Sequence, residues 1–238
     1  MLEKINPENI LFLDIETVPE NKKFNNLSKE KQTLFAEKTK YQRKEEYSAE
    51  EFYKRAGIWA EFGKIICISV GFFSSFKKER TFRIKSFYGE NEKQILLQFK
   101  NLLETHFSKP KHVMCAHNGK EFDFPYIARR MIINNIKLPK KLNLFGKKPW
   151  EVAHLDTLEL WKFGDYKHYT SLSLLTNILR IPSPKEDING SQVAQVYYQE
   201  KNLNRIVKYC EKDTLAVAQL LLRFSNLELL KENEIIII

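Results

Sequence analysis

Ile10-Leu11-Phe12-Leu13-Asp14-Ile15-Glu16-Thr17 is the stretch on which the reading of this chain turns. Four apolar residues run into two carboxylates spaced i, i+2, and Val18-Pro19-Glu20 follows like a turn. A short apolar run bounded by proline reads as a strand buried on both faces. Alternate residues of a strand point the same way, so Asp14 and Glu16 project together. Side by side at the end of a buried strand they repel each other and lose hydration. A pair of hard divalent cations bound through oxygen compensates best. A strand that ends in an acidic, solvated turn is the plainer reading of the octet alone.

The bulk composition narrows the choice. The chain has 238 residues, 43% of them hydrophobic, with 17 Phe, 10 Tyr and 3 Trp. That suits one large domain spanning residues 1–238, and it supplies enough apolar surface for a sizeable core. The formal charge of +9 favours a polyanionic partner, most commonly nucleic acid. The longest apolar stretch, Ile65 to Phe73, is far short of the ~20 residues that span a bilayer. The N-terminus lacks a signal-peptide core, so no membrane partner and a cytoplasmic location are expected. Cys67, Cys115 and Cys210 are scattered and form no CxxC, which argues against a disulfide framework or a zinc site. Two of them fall in expected core strands, where free cysteine packs as a small hydrophobe.

Beyond Pro19 the chain becomes rich in Lys and Glu from Asn21 to about Glu61. Ser48-Ala49-Glu50-Glu51 matches a capping box, and helices are expected near residues 28–42 and 49–60. Lys22, Lys23, Lys29, Lys31, Lys38, Lys40 and Arg43 suggest a basic rail, although a solvated helical face is the simpler account. Strands are expected at Ile65–Phe73, Arg80–Tyr88, His112–Ala116 and Val152–Asp156. Helices are expected at Glu90–Phe107, Phe122–Asn135, Ser171–Leu179, Gln192–Glu200 and Leu203 to about Leu229. Asn135 to Pro149 reads as a basic loop. The sum is an α/β fold on a mixed sheet.

Two further stations carry chemistry. In Cys115-Ala-His117-Asn118-Gly119-Lys120-Glu121-Phe122-Asp123 a buried strand ends, Asn118-Gly119 turns, and a helix begins. Asp123 then sits in the helix's first turn, beside a strand's carboxyl end, where ligands of open α/β sheets gather. Taken alone, ordinary dipole stabilisation is the better account of an acid there. In Tyr209-Cys-Glu-Lys-Asp213 the outer residues are i, i+4 and share a helix face with Ala216 and Val217. Asp213 therefore looks inward, and a buried Asp calls for a partner or a metal. Glu211 and Lys212 are expected to be solvated. His154 and Asp156 are tempting as extra ligands, but a strand-end Asp more simply caps the segment that follows.

Asp14-Ile-Glu16, Asn118-Gly-x-x-Phe122-Asp123 and Tyr209-x-x-x-Asp213 stand in the order of three exonuclease motifs. The chain resembles the DEDD superfamily of 3′–5′ exonucleases, in its tyrosine-containing branch. It is most similar to the proofreading domain of family-B DNA polymerases, here without a polymerase. The resemblance covers about residues 9–225 and extends to Trp161–Leu172 and Ile181–Ile188. It implies a ribonuclease-H-like mixed β-sheet flanked by α-helices. The charged helical insertion after the first strand, about residues 20–62, departs from it. It implies Asp14, Glu16, Asp123 and Asp213 as ligands of two divalent cations, with Tyr209 as the fifth catalytic residue. Thr17, Asn118, Phe122 and Lys185 become candidate substrate contacts.

The chemistry agrees with that expectation. Phosphodiester hydrolysis needs an aimed nucleophile and a sink for charge on the leaving oxygen, which two cations ~3.5–4 Å apart provide. Carboxylate ligation suits Mg2+ or Mn2+. Tyr209, with an ordinary pKa of ~10, is a poor base and a better orienter of water. The expected partner is a single-stranded 3′ end, with DNA favoured. An RNA-trimming exoribonuclease and a non-catalytic nucleic-acid-binding module on the same fold are the alternatives. A complete set of carboxylates disfavours the module. A ribonuclease-H-type endonuclease does not call for Tyr-x-x-x-Asp on the last helix. Protein partners are not readable from the sequence.

Overall fold

In the computed structural model, which describes residues 5–43, 46–76, 79–165, 169–182 and 187–238, six strands form one sheet. They are β1 (Ile10–Pro19), β2 (Gly63–Ser75), β3 (Thr81–Tyr88), β4 (Val113–Ala116), β5 (Leu155–Asp156) and β6 (Ile235–Ile237), in the order β5-β4-β1-β2-β3-β6. β1 runs antiparallel to β2 and parallel to β4, so the sheet is mixed. The helices are α1 (Lys29–Arg43), α2 (Ala49–Phe52), α3 (Glu92–Thr105), α4 (Asp123–Ile133), α5 (Thr157–Lys162), α6 (Leu172–Ile178), α7 (Val193–Gln195) and α8 (Leu203–Phe224).

Strand alternation sorts β1 between two cores. Leu11, Leu13 and Ile15 pack with Ile95, Leu96 and Phe99 of α3 and with Phe124, Ile127 and Met131 of α4. Ile10 and Phe12 pack on the other face with Val217, Ala218 and Leu221 of α8. Asp14 and Glu16 share parity with Ile10 and Phe12, so they face α8 just where the apolar contact ends. The pairing of β1 with β2 slips between Glu16 and Thr17. Such a bulge re-aims the side chains beside it.

The insertion carries a small core of its own. Phe35 is fully buried against the rings of Phe24, Tyr53, Trp59 and Phe62, with centroids 5.1–6.0 Å away. The expected capping box is present: Glu51 N–H donates to Ser48 Oγ, and Ser48 N–H to the Glu51 carboxylate. The second helix, however, ends at Phe52 and continues as 3-10 turns through Ile58. Gly57 explains the change. A Cβ there would lie 3.1 Å from the Val18 carbonyl carbon, tight enough that any larger residue would push this segment off β1 by a few tenths of an ångström. The Gly57 carbonyl is used by Thr17 Oγ1 (2.9 Å) and Tyr126 Oη (2.7 Å) instead of by a helical N–H.

Three more expectations need correction at their ends. α8 stops at Phe224, five residues short of Leu229, because Asn226 adopts a left-handed φ of 54°. The N–H groups of Leu227 and Asn226 then close back onto Leu222 and Arg223, which is a Schellman stop. The Gln192–Glu200 segment is a short α7 followed by one π turn, and β5 has two residues. Where only helix was expected at the C-terminus, β6 pairs in parallel with β3. Arg80 secures it, with its guanidinium 2.7 Å from Glu234 and donating to the Glu228 and Leu229 carbonyls.

Three cations of the expected basic rail are held by acids or carbonyls. Lys31 is paired with Glu20 at 2.5 Å and Lys38 with Glu61 at 3.6 Å. Arg43 is committed to the carbonyls of Ala36 and Tyr47. Glu211, expected in solvent, is buried on α8 and accepts from Ser86 Oγ at 2.8 Å, because α8 lies across β3 at that point. Cys67, Cys115 and Cys210 are buried, free thiols.

Candidate active site

The carboxylates converge between the end of β1, the start of α4 and the middle of α8. Asp14, Glu16 and Cys210 each bring a potential ligand atom within 4.8 Å of one another. The Cys210 thiol is already engaged: it donates to the Asp14 carbonyl at 3.3 Å, and burial pushes its pKa up. That leaves an oxygen ligand set. Glu16 is 7% exposed and Asp123 4% exposed, and among the described residues neither they nor Asp14 joins an ion pair.

Burial, then mutual repulsion, holds the protons on. Burial raises the Asp14 and Glu16 pKa values well above the usual range; Glu16 and Asp213 push further on Asp14, and Asp213 on Glu16. Asp123 is pushed up to about 8 by burial and the neighbouring Asp156 and Asp213 charges, although the N–H groups of Asp123 and Ile15 oppose the rise. Burial also raises the Tyr209 pKa, reinforced by Asp213, Glu16 and Asp14, and its hydroxyl is hydrogen-bonded to Asp213. It is a proton donor at neutral pH.

A divalent cation fits this group. Asp14 Oδ2 is buried and has no hydrogen-bond partner among the described residues, which is costly unless something else satisfies it. Crowded, buried carboxylate oxygens are what Mg2+ or Mn2+ binds.

Above them opens a cleft of about 1180 Å3, into which Asp14, Glu16, Tyr209 and Asp213 face. Thr17 and Phe122 line it too. Phe122 is half-buried, packing on Tyr126 with ring centroids 5.3 Å apart, so it serves core and cleft together. Thr17 lends its hydroxyl hydrogen to Gly57. Lys185 lies outside the described residues.

The second motif is held by Asp156. Its carboxylate caps α5 through the N–H groups of Leu158 and Glu159, the capping role the sequence suggests. It also accepts from the N–H groups of Asn118 (2.9 Å) and Lys120 (3.0 Å), and Asn118 has a left-handed φ of 61°. Gly119 completes the turn, since a Cβ there would meet the Ala116 Cβ at 2.4 Å. His154 is structural: Nδ1 accepts from Met114 N–H, and Nε2 bonds the Lys141 carbonyl. His117, unremarked in the sequence, is fixed by Thr157 Oγ1 and the Thr170 carbonyl, both at 2.9 Å. Its place beside Asn118 is the one signal that would have flagged it.

This mixed sheet with a carboxylate-lined cleft has relatives. Residues 58–234 match a family described as predicted 3′–5′ exonucleases related to the exonuclease domain of PolB. The chain belongs to that family. The match begins after β1, so Asp14 and Glu16 precede it. A DNA polymerase of Pyrococcus glycovorans is 22% identical over 151 residues, covering 58% of this chain and 19% of the polymerase. The fold is also that of part of the family B DNA polymerase from the hyperthermophilic archaeon Pyrobaculum calidifontis. The TM-score is 0.56 at 15% identity, over 90% of this chain and 24% of that one. The chain thus spans about a fifth to a quarter of these relatives. Among the described residues no helix is long and apolar enough to cross a membrane.

Proposed function

We propose that the chain is a metal-dependent 3′–5′ exonuclease acting on the 3′ ends of single-stranded nucleic acid, with DNA preferred. The observation that carries this reading is the buried carboxylate group with its orphaned Asp14 oxygen, at the floor of an open cleft. Asp14, Glu16, Asp123 and Asp213 would hold two divalent cations, Mg2+ or Mn2+. Such ions supply Lewis acidity toward the phosphate oxygens and a strong nucleophile at neutral pH.

The protein's own groups do the rest. Tyr209 keeps its proton, is anchored to Asp213 and faces the cleft, so it orients the attacking water rather than deprotonating it. The Phe122 face in the cleft offers a stacking surface for the terminal base. Asn118 and Thr17 are the polar contacts for that nucleotide, and Asp156 keeps the Asn118 turn in place. The family match and the fold likeness to part of a family B DNA polymerase support the reaction class.

Matched 5′-labelled DNA and RNA oligonucleotides, single- and double-stranded, test the reading with Mg2+ or Mn2+. Stepwise shortening, fastest on single-stranded DNA, is expected. Faster trimming of RNA would transfer the substrate to the exoribonuclease alternative, and binding without cleavage to the non-catalytic one.

A further inference from the structure

The cleft continues from the carboxylates along the insertion, where Lys22, Lys23, Lys54 and Arg55 line it. All four are exposed, and among the described residues none is in an ion pair. Of the insertion's other described cations, Lys31 and Lys38 are paired with acids and Arg43 with carbonyls, while Lys29 and Lys40 are exposed but lie outside the cleft lining. Four cations without an ion pair therefore gather where the insertion meets the cleft, one of them, Arg55, with its guanidinium 5.2 Å from the Phe52 ring centroid. Glu50 also lines this part, with its carboxylate accepting from Asn25 Nδ2 at 2.8 Å.

Ser191, Gln195 and Gln199 line the same cleft and are neutral and polar. Ile58, also in the lining, leaves 46% of its surface open, a large apolar side chain facing a groove. Cationic, amide and apolar side chains lining one cleft match a single strand, whose phosphates seek the cations and whose unpaired bases seek the amides and the apolar surface. The volume, about 1180 Å3, exceeds the ~300–1,000 Å3 of ordinary small-molecule sites. There is room for more than the nucleotide being removed.

We infer that the insertion is a backbone-binding wall for single-stranded nucleic acid. Lys22, Lys23, Lys54 and Arg55 hold phosphates of the nucleotides that precede the cleaved one, and Ile58 supports a base. The direction of the strand rests on the exonuclease reading; the wall itself does not.

The test is fluorescence anisotropy of a short 5′-fluorescein single-stranded DNA in EDTA, which needs no turnover. Two double variants from separate segments, Lys22→Ala/Lys23→Ala and Lys54→Ala/Arg55→Ala, are compared with Lys29→Ala/Lys40→Ala. The last pair removes equal charge outside the cleft. Each wall variant should lose about tenfold in affinity at low salt, and its plot of log K against log[salt] should flatten by about 1.4. The control should keep the wild-type slope. Wild-type affinity and slope in both wall variants would overturn the inference, as would an equal loss in the control. Hydrolysis of the p-nitrophenyl ester of thymidine 5′-monophosphate, which reaches only the carboxylate end, separates the two readings. Wall variants should turn it over at the wild-type rate, and a parallel loss there would contradict a wall role. If the wild type binds DNA but hydrolyses neither ester nor oligonucleotide, the exonuclease reading fails while the binding comparison still decides the wall.

Discussion

Asp156 accepts the backbone N–H of Asn118 at 2.9 Å, joining the loop after β4 to the end of β5 across 38 residues of sequence. Four backbone donors share this one carboxylate: Asn118, Lys120, Leu158 and Glu159. Asp156→Asn puts an amide NH2 against at least one of them. A loss of ~1–3 kcal/mol is expected, the cost of leaving a buried donor unmet. Urea unfolding checks it, and an unchanged midpoint would show that the loop holds without Asp156.

The metal-free protein should become less stable as pH rises above 7. Asp14, Glu16 and Asp123 have folded-state pKa values raised above their unfolded values, mainly by burial. These three carboxyls therefore bind more protons folded than unfolded, which lowers stability as pH rises. His112, His117 and His154, whose pKa values burial lowers, act the opposite way up to the ordinary imidazole pKa of ~6.5, so the net fall is expected above pH 7. The carboxyls' own loss begins near the unfolded carboxylate pKa of ~4 and, for Asp123, is complete above about 8. Melting temperatures in EDTA from pH 7 to 9 test the slope. Saturating Mg2+ or Mn2+ should stabilise the protein by mass action, most at the alkaline end.

Arg130 and Glu92 form a buried, two-pronged ion pair with contacts of 2.8 and 2.5 Å. Glu92 also accepts Ile65 N–H, and Arg130 donates to the Ala60 carbonyl, so the pair joins α3 and α4 to the root of the insertion. Glu92→Ala strands a buried guanidinium and should cost ~3–5 kcal/mol. In a chain of this size that is a fall of roughly 10 °C in Tm. Cleavage per folded molecule should stay near normal.

Tyr209→Phe separates orientation from metal binding. It removes the hydroxyl bonded to Asp213 and keeps the ring. Metal-dependent stabilisation and oligonucleotide affinity should survive, while single-turnover cleavage falls ~10- to 1,000-fold. Normal cleavage with a lowered Tm would assign the hydroxyl a structural role.

What the sequence made legible was local. Asp14 and Glu16 follow from strand alternation in one octet, and Tyr209 and Asp213 from one helical turn. What it hid depends on distant partners. β6 exists because Ile235–Ile237 pairs with β3, about 150 residues earlier in the chain, although a run of four isoleucines was a signal. The 3-10 turns around Gly57 follow from contact with Val18, which no local propensity encodes. Lys54 and Arg55 look like any charged helical pair until the cleft shows which way they face.

The central claim is that Asp14 belongs to a metal-binding exonuclease centre. Its most direct test is cleavage of a 5′-labelled single-stranded oligonucleotide by wild type and Asp14→Asn, with Mn2+ or Mg2+ and with EDTA. The wild type should give a ladder shortening from the 3′ end only when the ion is present. Asp14→Asn should give none, yet remain folded and at least as stable in EDTA, since it removes one charge from a crowded group. A ladder from folded Asp14→Asn, or one from the wild type in EDTA, would contradict the account.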